Sequence, residues 1–363
     1  MDTGVWTMMR IWRSTALLGV TLVGCGMGSQ LHVGTGDRLA HSRGWVVARL
    51  DSSRPHLVPS PADRLVVRIG SEERLLYEAR ADDLMLSTPI VSRDGSMLAI
   101  AKTEGRDAVA REFLYTMSTT GGDLKRIIEV AAPGLALRGA QSGLSAAVSH
   151  DNAQLVFHGL FPGERATPSG PYAPDEIQRA RPLRSINLST RDVTELGRHG
   201  RWVVRGKGSG SPITSQAWAP DNRRLVYSND DGELIIVDVV TKTEVAVGPG
   251  TDAAWSPDGR WIAARVEVST GERRDADYVR MTADPPYERT VVFAPRRPQR
   301  SISDWFAGRE SYRGPLLWSP DGRMLILRRS RGEREVTIAI DSWTGAVQDV
   351  SWNHRVFAIG GPP

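Results

Sequence analysis

Short apolar runs separated by turn residues recur along most of the chain, and one arrangement is written three times. It stands at Ala217-Trp-Ala-Pro-Asp-Asn-Arg-Arg-Leu-Val-Tyr227, Ala254-Trp-Ser-Pro-Asp-Gly-Arg-Trp-Ile-Ala-Ala264 and Leu317-Trp-Ser-Pro-Asp-Gly-Arg-Met-Leu-Ile-Leu327. An apolar strand ends at Trp, a tight corner reverses the chain, and a second apolar strand leaves. Pro sets φ at the second position of the corner, Asp suits the third, and Gly or Asn tolerates the left-handed conformation that follows. Weaker copies stand at 91–100 and 148–157, and a degenerate one at 41–49. A second hairpin signal follows each corner, as in 65–77, 114–127, 185–196, 233–247 and 336–347. Four strands in two linked hairpins is the sequence form of a propeller blade.

The corners at Gly44, Gly95, Asn152, Asn222, Gly259 and Gly322 predict an all-β, six-bladed propeller of four-stranded antiparallel blades over residues 38–363. Seven blades, with one unit split between the termini, is the competing count. The apolar run Arg355-Val-Phe-Ala-Ile359 has no hairpin of its own, so it is expected to close the ring by pairing into the first blade. Trp218, Trp255 and Trp318 share one register, which predicts blade packing.

The Trp-Ser-Pro-Asp-Gly corner and the Leu-Tyr-x-Met-x-x-x-Gly-Gly-x-x-x-Arg hairpin that begins at Leu114 resemble the TolB-like six-bladed propeller family, over about residues 38–359. TolB proper has an α/β domain before its propeller, and no room for one is expected between Cys25 and the first blade. Its partners are therefore not carried over. TolB-like propellers also resemble polysaccharide lyases and occur in peptidases. That resemblance implies a second reading, an envelope enzyme of lyase or hydrolase type with its site in the central channel.

Arg10 and Arg13 precede an apolar or small stretch from Ser14 to Gly24. It is too short to span about 30 Å of hydrocarbon and suits a secretory signal. Leu22-Val23-Gly24-Cys25 resembles the lipobox of bacterial lipoproteins, which implies a diacylglycerol thioether on Cys25 and cleavage before it. The expected division is a signal peptide at 1–24, a lipidated Cys25 with a Gly-rich tether at 25–37, and the propeller at 38–363. Met8 or Met9 would give a more usual start. Two or three acyl chains, at about 0.8 kcal/mol per buried methylene, give stable anchoring. Gly26 lacks the Asp that resembles an inner-membrane retention signal. The expected address is therefore extracytoplasmic, on the periplasmic side of the outer membrane if the cell has two.

With 363 residues, 40% hydrophobic and 24% charged, the composition is globular. Only Lys102, Lys125, Lys207 and Lys242 are lysines among 46 basic residues, which face 42 acidic ones. The small excess is not a surface that a phosphate backbone selects, so no nucleic-acid partner is expected. One Cys excludes an internal disulfide and a thiolate zinc cluster. No metal, cofactor or catalytic residue is expected. Gly143-Leu-Ser-Ala-Ala147 lacks the closing Gly of a nucleophile elbow. Residues 200–208 carry five residues rather than four between Gly200 and Gly206 and end in Gly208, unlike a phosphate loop. The seven histidines never take a metal-ligand spacing, and 229–233 reads as a turn.

Extra length is expected between second and third strands, at 51–63, 103–111, 162–182 and 267–289, and between blades, at 131–143, 197–212 and 304–314. In a four-stranded meander both kinds of connection lie on one side of the disc. That side is the expected binding face, with Tyr172, Arg179, Arg181, Arg273, Arg274, Tyr278, Tyr287 and Trp305 as candidate contacts. The function expected is a monomeric, lipid-anchored scaffold in the cell envelope that binds a protein or a surface polymer without catalysis.

Overall fold

The recurring corner is built by side chains as well as by backbone. In the first complete copy the Ser92 hydroxyl donates to Asp94 Oδ1 at 2.6 Å and accepts from Met97 N at 2.9 Å. Asp94 Oδ1 also accepts from Ser96 N at 3.0 Å. The same bracket returns at Ser149 and Asp151, Ser256 and Asp258, and Ser319 and Asp321. Where Ala219 replaces Ser, Asp221 Oδ1 takes both Arg223 N and Arg224 N at 2.9 Å. Gly95, Asn152, Asn222, Gly259 and Gly322 all have φ between 55° and 76°, as this turn requires.

These corners order a computed structural model that describes residues 46–51, 64–78, 83–86, 89–104, 111–130, 146–158, 161–162, 181–196, 201–202, 213–229, 231–270, 273–295, 310–331, 334–350 and 358–360. Among the described residues there is no helix. The chain forms six antiparallel sheets arranged as a ring. The first blade holds β1 (Val46–Asp51), β2 (Arg64–Ile69) and β3 (Glu72–Glu78). The second holds β4 (Asp83–Leu86) and β5 (Ile90–Val91), which share the innermost place, then β6 (Met97–Glu104), β7 (Arg111–Ser118) and β8 (Lys125–Val130). The third holds β9 (Ala146–Val148), β10 (Gln154–His158), β11 (Arg181–Asn187) and β12 (Val193–Glu195), with β13 (Arg201–Trp202) also paired to β11.

The fourth holds β14 (Arg224–Ser228), β15 (Glu233–Asp238) and β16 (Glu244–Pro249), and its innermost position is filled by the Trp218 bridge to Leu225. The fifth holds β17 (Thr251–Trp255), β18 (Trp261–Thr270), β19 (Arg273–Thr282) and β20 (Arg289–Phe293). The sixth holds β21 (Glu310–Trp318), β22 (Met324–Arg331), β23 (Arg334–Asp341) and β24 (Val347–Val350). Finally, β25 (Ala358–Gly360) pairs with β1 in the register Val46↔Gly360 and Ala48↔Ala358. The chain therefore closes its own ring with six blades, and Ala358 and Ile359 of the terminal run pair into the first blade as expected.

Alternating residues of one strand go to opposite seams. Phe113, Tyr115 and Met117 of β7 pack toward the first blade, while Leu114 packs toward the third. Likewise Ile235 and Val237 of β15 face the third blade, and Leu234 and Ile236 face the fifth. Six apolar clusters result, one at each seam between neighbouring blades. Trp218, Trp255 and Trp318 are each 1% exposed. Trp218 Nε1 donates to Ala147 O at 3.2 Å and Trp318 Nε1 to Ala254 O at 3.0 Å, so these indoles tie innermost strands of successive blades.

Arginines add a second set of ties at the third-to-fourth turns. Arg74 donates to Thr120 O, Arg224 to Asp284 and Arg280 to Ser342 O, each from one blade to the next. Arg289 of β20 donates to Val247 O and Pro249 O, covering carbonyls of the outer strand of the fourth blade.

The closing seam has the least slack. A Cβ on Gly360 would lie 2.3 Å from Ser92 O and 3.2 Å from Gly95 Cα, so β25 sits directly on the corner of the second blade. Gly360→Ala is expected to lower stability by about 1–3 kcal/mol through forced displacement of that strand, measured as a urea midpoint shift. An unchanged midpoint would contradict this placement of β25.

Candidate functional site

The meander fixes which connections share a side. The Ser-x-Asp corners and the third-to-fourth turns share one side of the disc, called here the turn side. The links β1–β2, β6–β7 and β10–β11, the tips of β18–β19 and β22–β23, and the blade-to-blade links share the other, the elaborated side.

One expected excursion proves to be largely strand, and a second is strand from Glu310 onward. Residues 267–289 are not a loop between second and third strands: β18 and β19 pair from Trp261↔Thr282 to Thr270↔Arg273, leaving residues 271–272 as the tip. The rest of that stretch is the turn from β19 to β20, on the turn side. Within 304–314, β21 already begins at Glu310. Long hairpins raise the second, fifth and sixth blades on the elaborated side as ordered sheet: β6–β7, β18–β19 and β22–β23.

Arg273 and Arg274 open β19 at its tip on the elaborated side, opposite Thr270 and Ser269. Arg181 opens β11 on the same side, in register with Trp202. Two candidates are placed elsewhere. Tyr278 is 3% exposed in the seam between the fifth and sixth blades, its ring 5.9 Å from Phe293 and 6.3 Å from Tyr312. It is a core residue, and burial pushes its phenol up. Tyr287 has φ 58° in the β19–β20 turn, its N–H donating to Asp284 O, and it stands on the turn side. Cys25, Tyr172, Arg179 and Trp305 lie outside the described residues.

Toward the elaborated end of the second blade the structure gathers a cluster that spacing did not reveal. Lys102 Nζ lies 3.4 Å from Glu104 Oε1 and 5.4 Å from the ring centroids of both Tyr77 and Tyr115. The Tyr115 hydroxyl donates to Glu104. Burial, then that hydrogen bond to a carboxylate, pushes the phenol up to about 12. It stays protonated at neutral pH. Beside it Arg126 stacks 3.5 Å from the Phe113 ring centroid, and Arg111 pairs with Glu129. The residues alternate along β6 and across to β7, so only the register of the sheet brings them together.

On the turn side, Arg93 and His150 occupy the corner position that Pro220, Pro257 and Pro320 fill in the later blades. Arg93 Nη2 is sealed from solvent without a hydrogen-bond partner. Burial lowers its guanidinium to about 10, against the opposing pull of Asp258, three blades away around the ring. Burial and then Arg93 lower His150 to about 4, although the Trp218 backbone and the nearby Asp221 and Asp151 carboxylates favour its charged form. Among the described residues, no group of three or more His, Cys, Asp or Glu side chains is placed to hold a metal ion.

Solved structures share this architecture. The fold is that of a TolB-like six-bladed propeller. TolB from Acinetobacter baumannii matches with a TM-score of 0.59 at 14% identity, covering 88% of this chain and 67% of that one. An oligogalacturonate lyase in complex with manganese matches with a TM-score of 0.50 at 14% identity, covering 84% and 78%. At that identity the likeness is one of fold. No family model matches the chain, and no curated protein matches it.

The His150 environment makes a pH prediction. Its folded value lies below the ordinary 6.5, so the unfolded chain binds this proton first as pH falls. The stability associated with neutral His150 is complete above about 6.5 and is lost on descending toward 4. His150→Gln should therefore flatten the pH dependence of the urea midpoint between about 6.5 and 4, each protein being compared with its own midpoint at pH 8, where neither carries a charge at this position.

Proposed function

We propose that the chain is a lipid-anchored, extracytoplasmic propeller of the cell envelope that binds another protein or a surface polymer through its elaborated side, without catalysis. The observation that carries this reading is the asymmetry of the disc. Corners and third-to-fourth turns are short, whereas the ten-residue strands β18 and β19 and the eight-residue strands β6, β7, β22 and β23 extend blades two, five and six on the opposite side. Arg273 and Arg274 at one tip and Arg181 at the start of β11 are the contact residues there, and Tyr172, Arg179 and Trp305 join them by their place in the chain. Arginine fits such a surface because its planar fork both stacks and hydrogen-bonds. The lipobox-like Leu22-Val23-Gly24-Cys25 supplies the anchor, with the outer membrane as its address and a monomer as its state.

The second reading, an envelope enzyme of lyase or hydrolase type, draws on the likeness to the lyase fold. The described titratable groups favour the first. Proton transfer is efficient when a group titrates near the working pH. Tyr115, Tyr227 and Tyr278 are all pushed up and stay protonated, while His150 is pushed down and stays neutral.

The test places a photo-crosslinking residue at 273 or at the exposed turn-side position 260, in cells producing the full chain. Capture of one defined envelope component from 273, and none of it from 260, is expected. In parallel, Cys25→Ser should lose fatty-acid labelling. Capture from 260 alone sinks the binding-face assignment, and release of unsaturated sugar from polygalacturonate would favour the enzyme reading.

A further inference from the structure

The turn side is not uniform. Its third-to-fourth turns end in polar residues in the first three blades: Ser71, Thr120, and Ser189 with Thr190, all exposed. In the last three blades the same turns carry Val240, Pro285 with Pro286, and Trp343. Val240 is 73% exposed, Trp343 is 63% exposed, and both prolines are exposed. The step after the corner changes with them: Ser96 and Ala153 in the second and third blades become exposed Arg223, Arg260 and Arg323.

Trp343 is held rigidly in spite of its exposure. Trp343 N and Thr344 N both donate to Asp341 Oδ1, and Gly345 N donates to Asp341 O. The Arg280 guanidinium lies 3.8 Å from the Trp343 ring centroid and 4.3 Å from that of Trp261, and its Nη1 donates to Ser342 O. Trp261 meets Trp343 edge-on, with ring centroids at 5.6 Å. An indole fixed this way loses little freedom when something covers its open face.

The described chain also enters the ring on this side. Val46 pairs with Ile69 beside the Gly70 turn and with Gly360, which rests on the Ser92–Gly95 corner. The first described residue, Val46, thus stands on the turn side, and that is where the preceding segment is attached. We infer that the turn side of the fourth to sixth blades seats on a lipid bilayer, with Val240, Pro285, Pro286 and Trp343 at headgroup level and the elaborated side facing away. This rests on the membrane anchoring proposed above.

The chemistry favours lipid over a protein partner. Among the described residues the exposed apolar side chains of this side sit on separate turns, one per blade, rather than on one element such as a protein interface core uses. A bilayer accepts separate tips at one depth, and Trp prefers its interface. Charge is not the attraction. Arg223 pairs with Asp238 and Arg224 with Asp221 and Asp284, and Asp258 and Glu288 add acidic residues to the same half as Arg260, Arg323 and Lys242. Zwitterionic lipid should therefore suffice.

The test uses the full chain in its acylated form and, separately, as Cys25→Ser, each bound to phosphatidylcholine vesicles containing headgroup spin-labelled lipid. One fluorescent label is attached at Val240→Cys, Thr344→Cys or, on the elaborated side, Glu267→Cys. Labels at 240 and 344 should be quenched several-fold more than the label at 267. High salt should not change this, and Trp343→Ala should weaken it. Equal quenching at all three sites, or more at 267, overturns the inference. So does quenching at 240 and 344 that appears only with anionic lipid and vanishes in salt. Labels shielded by an added envelope protein and not by lipid would overturn it in favour of a protein surface. Failed acylation of Cys25 would sink the anchoring reading alone, because the Cys25→Ser chain is measured in parallel.

Discussion

A blade that is apolar on both faces cannot stand by itself, and that constraint governs the whole molecule. Leu98 and Ile100 turn to one neighbour while Ala99 and Ala101 turn to the other, and the same alternation runs through β7 and β15. A strand with this pattern leaves one face wet unless sheets flank it on both sides. Six such sheets satisfy one another only as a closed ring. Closure then depends on a three-residue strand from the far end of the chain, which completes the seam of Val47 and Ile359 against Leu317, Ile326, Ala339 and Val350. Glycine at 360 follows from the same demand, since the strand end and the neighbouring corner occupy nearly touching positions.

The preference for arginine over lysine has a structural use here. A guanidinium can fork across a seam to a backbone carbonyl or a carboxylate on the next blade, and Arg74, Arg224, Arg280 and Arg289 do so. Exposed ion pairs add little to stability by themselves. Their effect is geometric: they hold the outer turns in step with the inner corners, so the tips at Val240 and Trp343 stand at defined positions. The rigidity of the turn side and the raised hairpins of the elaborated side thus come from one scaffold with two different rims.

Much of this was legible in the residues because the corner is local. Pro, Asp and Gly at fixed offsets specify a turn within a few residues, and their copies predict six blades with seven as the competing count; the unpaired apolar run at 355–359 implied a closing strand. The bracketing Ser was not recognised, although its recurrence two places before Asp could have marked it. The stretch 267–289 misled because strands extending beyond the packed ring lose their apolar alternation. Glu267 and Ser269 sit opposite Ala276 and Arg274 with no core to signal strand. Tyr278 looked like a contact residue for the same reason, whereas its phenol lies over Phe293 inside a seam. The exposure of Trp343 and the joining of Lys102, Glu104 and Tyr115 depend on which face of which strand is covered, and the chain order does not carry that.

β25 and β1 together close the ring against the sixth blade and should open as one unit. Native-state hydrogen exchange, read over 46–51, 310–331 and 358–360 in the full chain, tests it most directly. These three segments should lose protection together, in a single opening whose free energy responds equally to denaturant in all three. Exchange of 358–360 at the rate of an unstructured chain, while 46–51 and 310–331 stay protected, would contradict it.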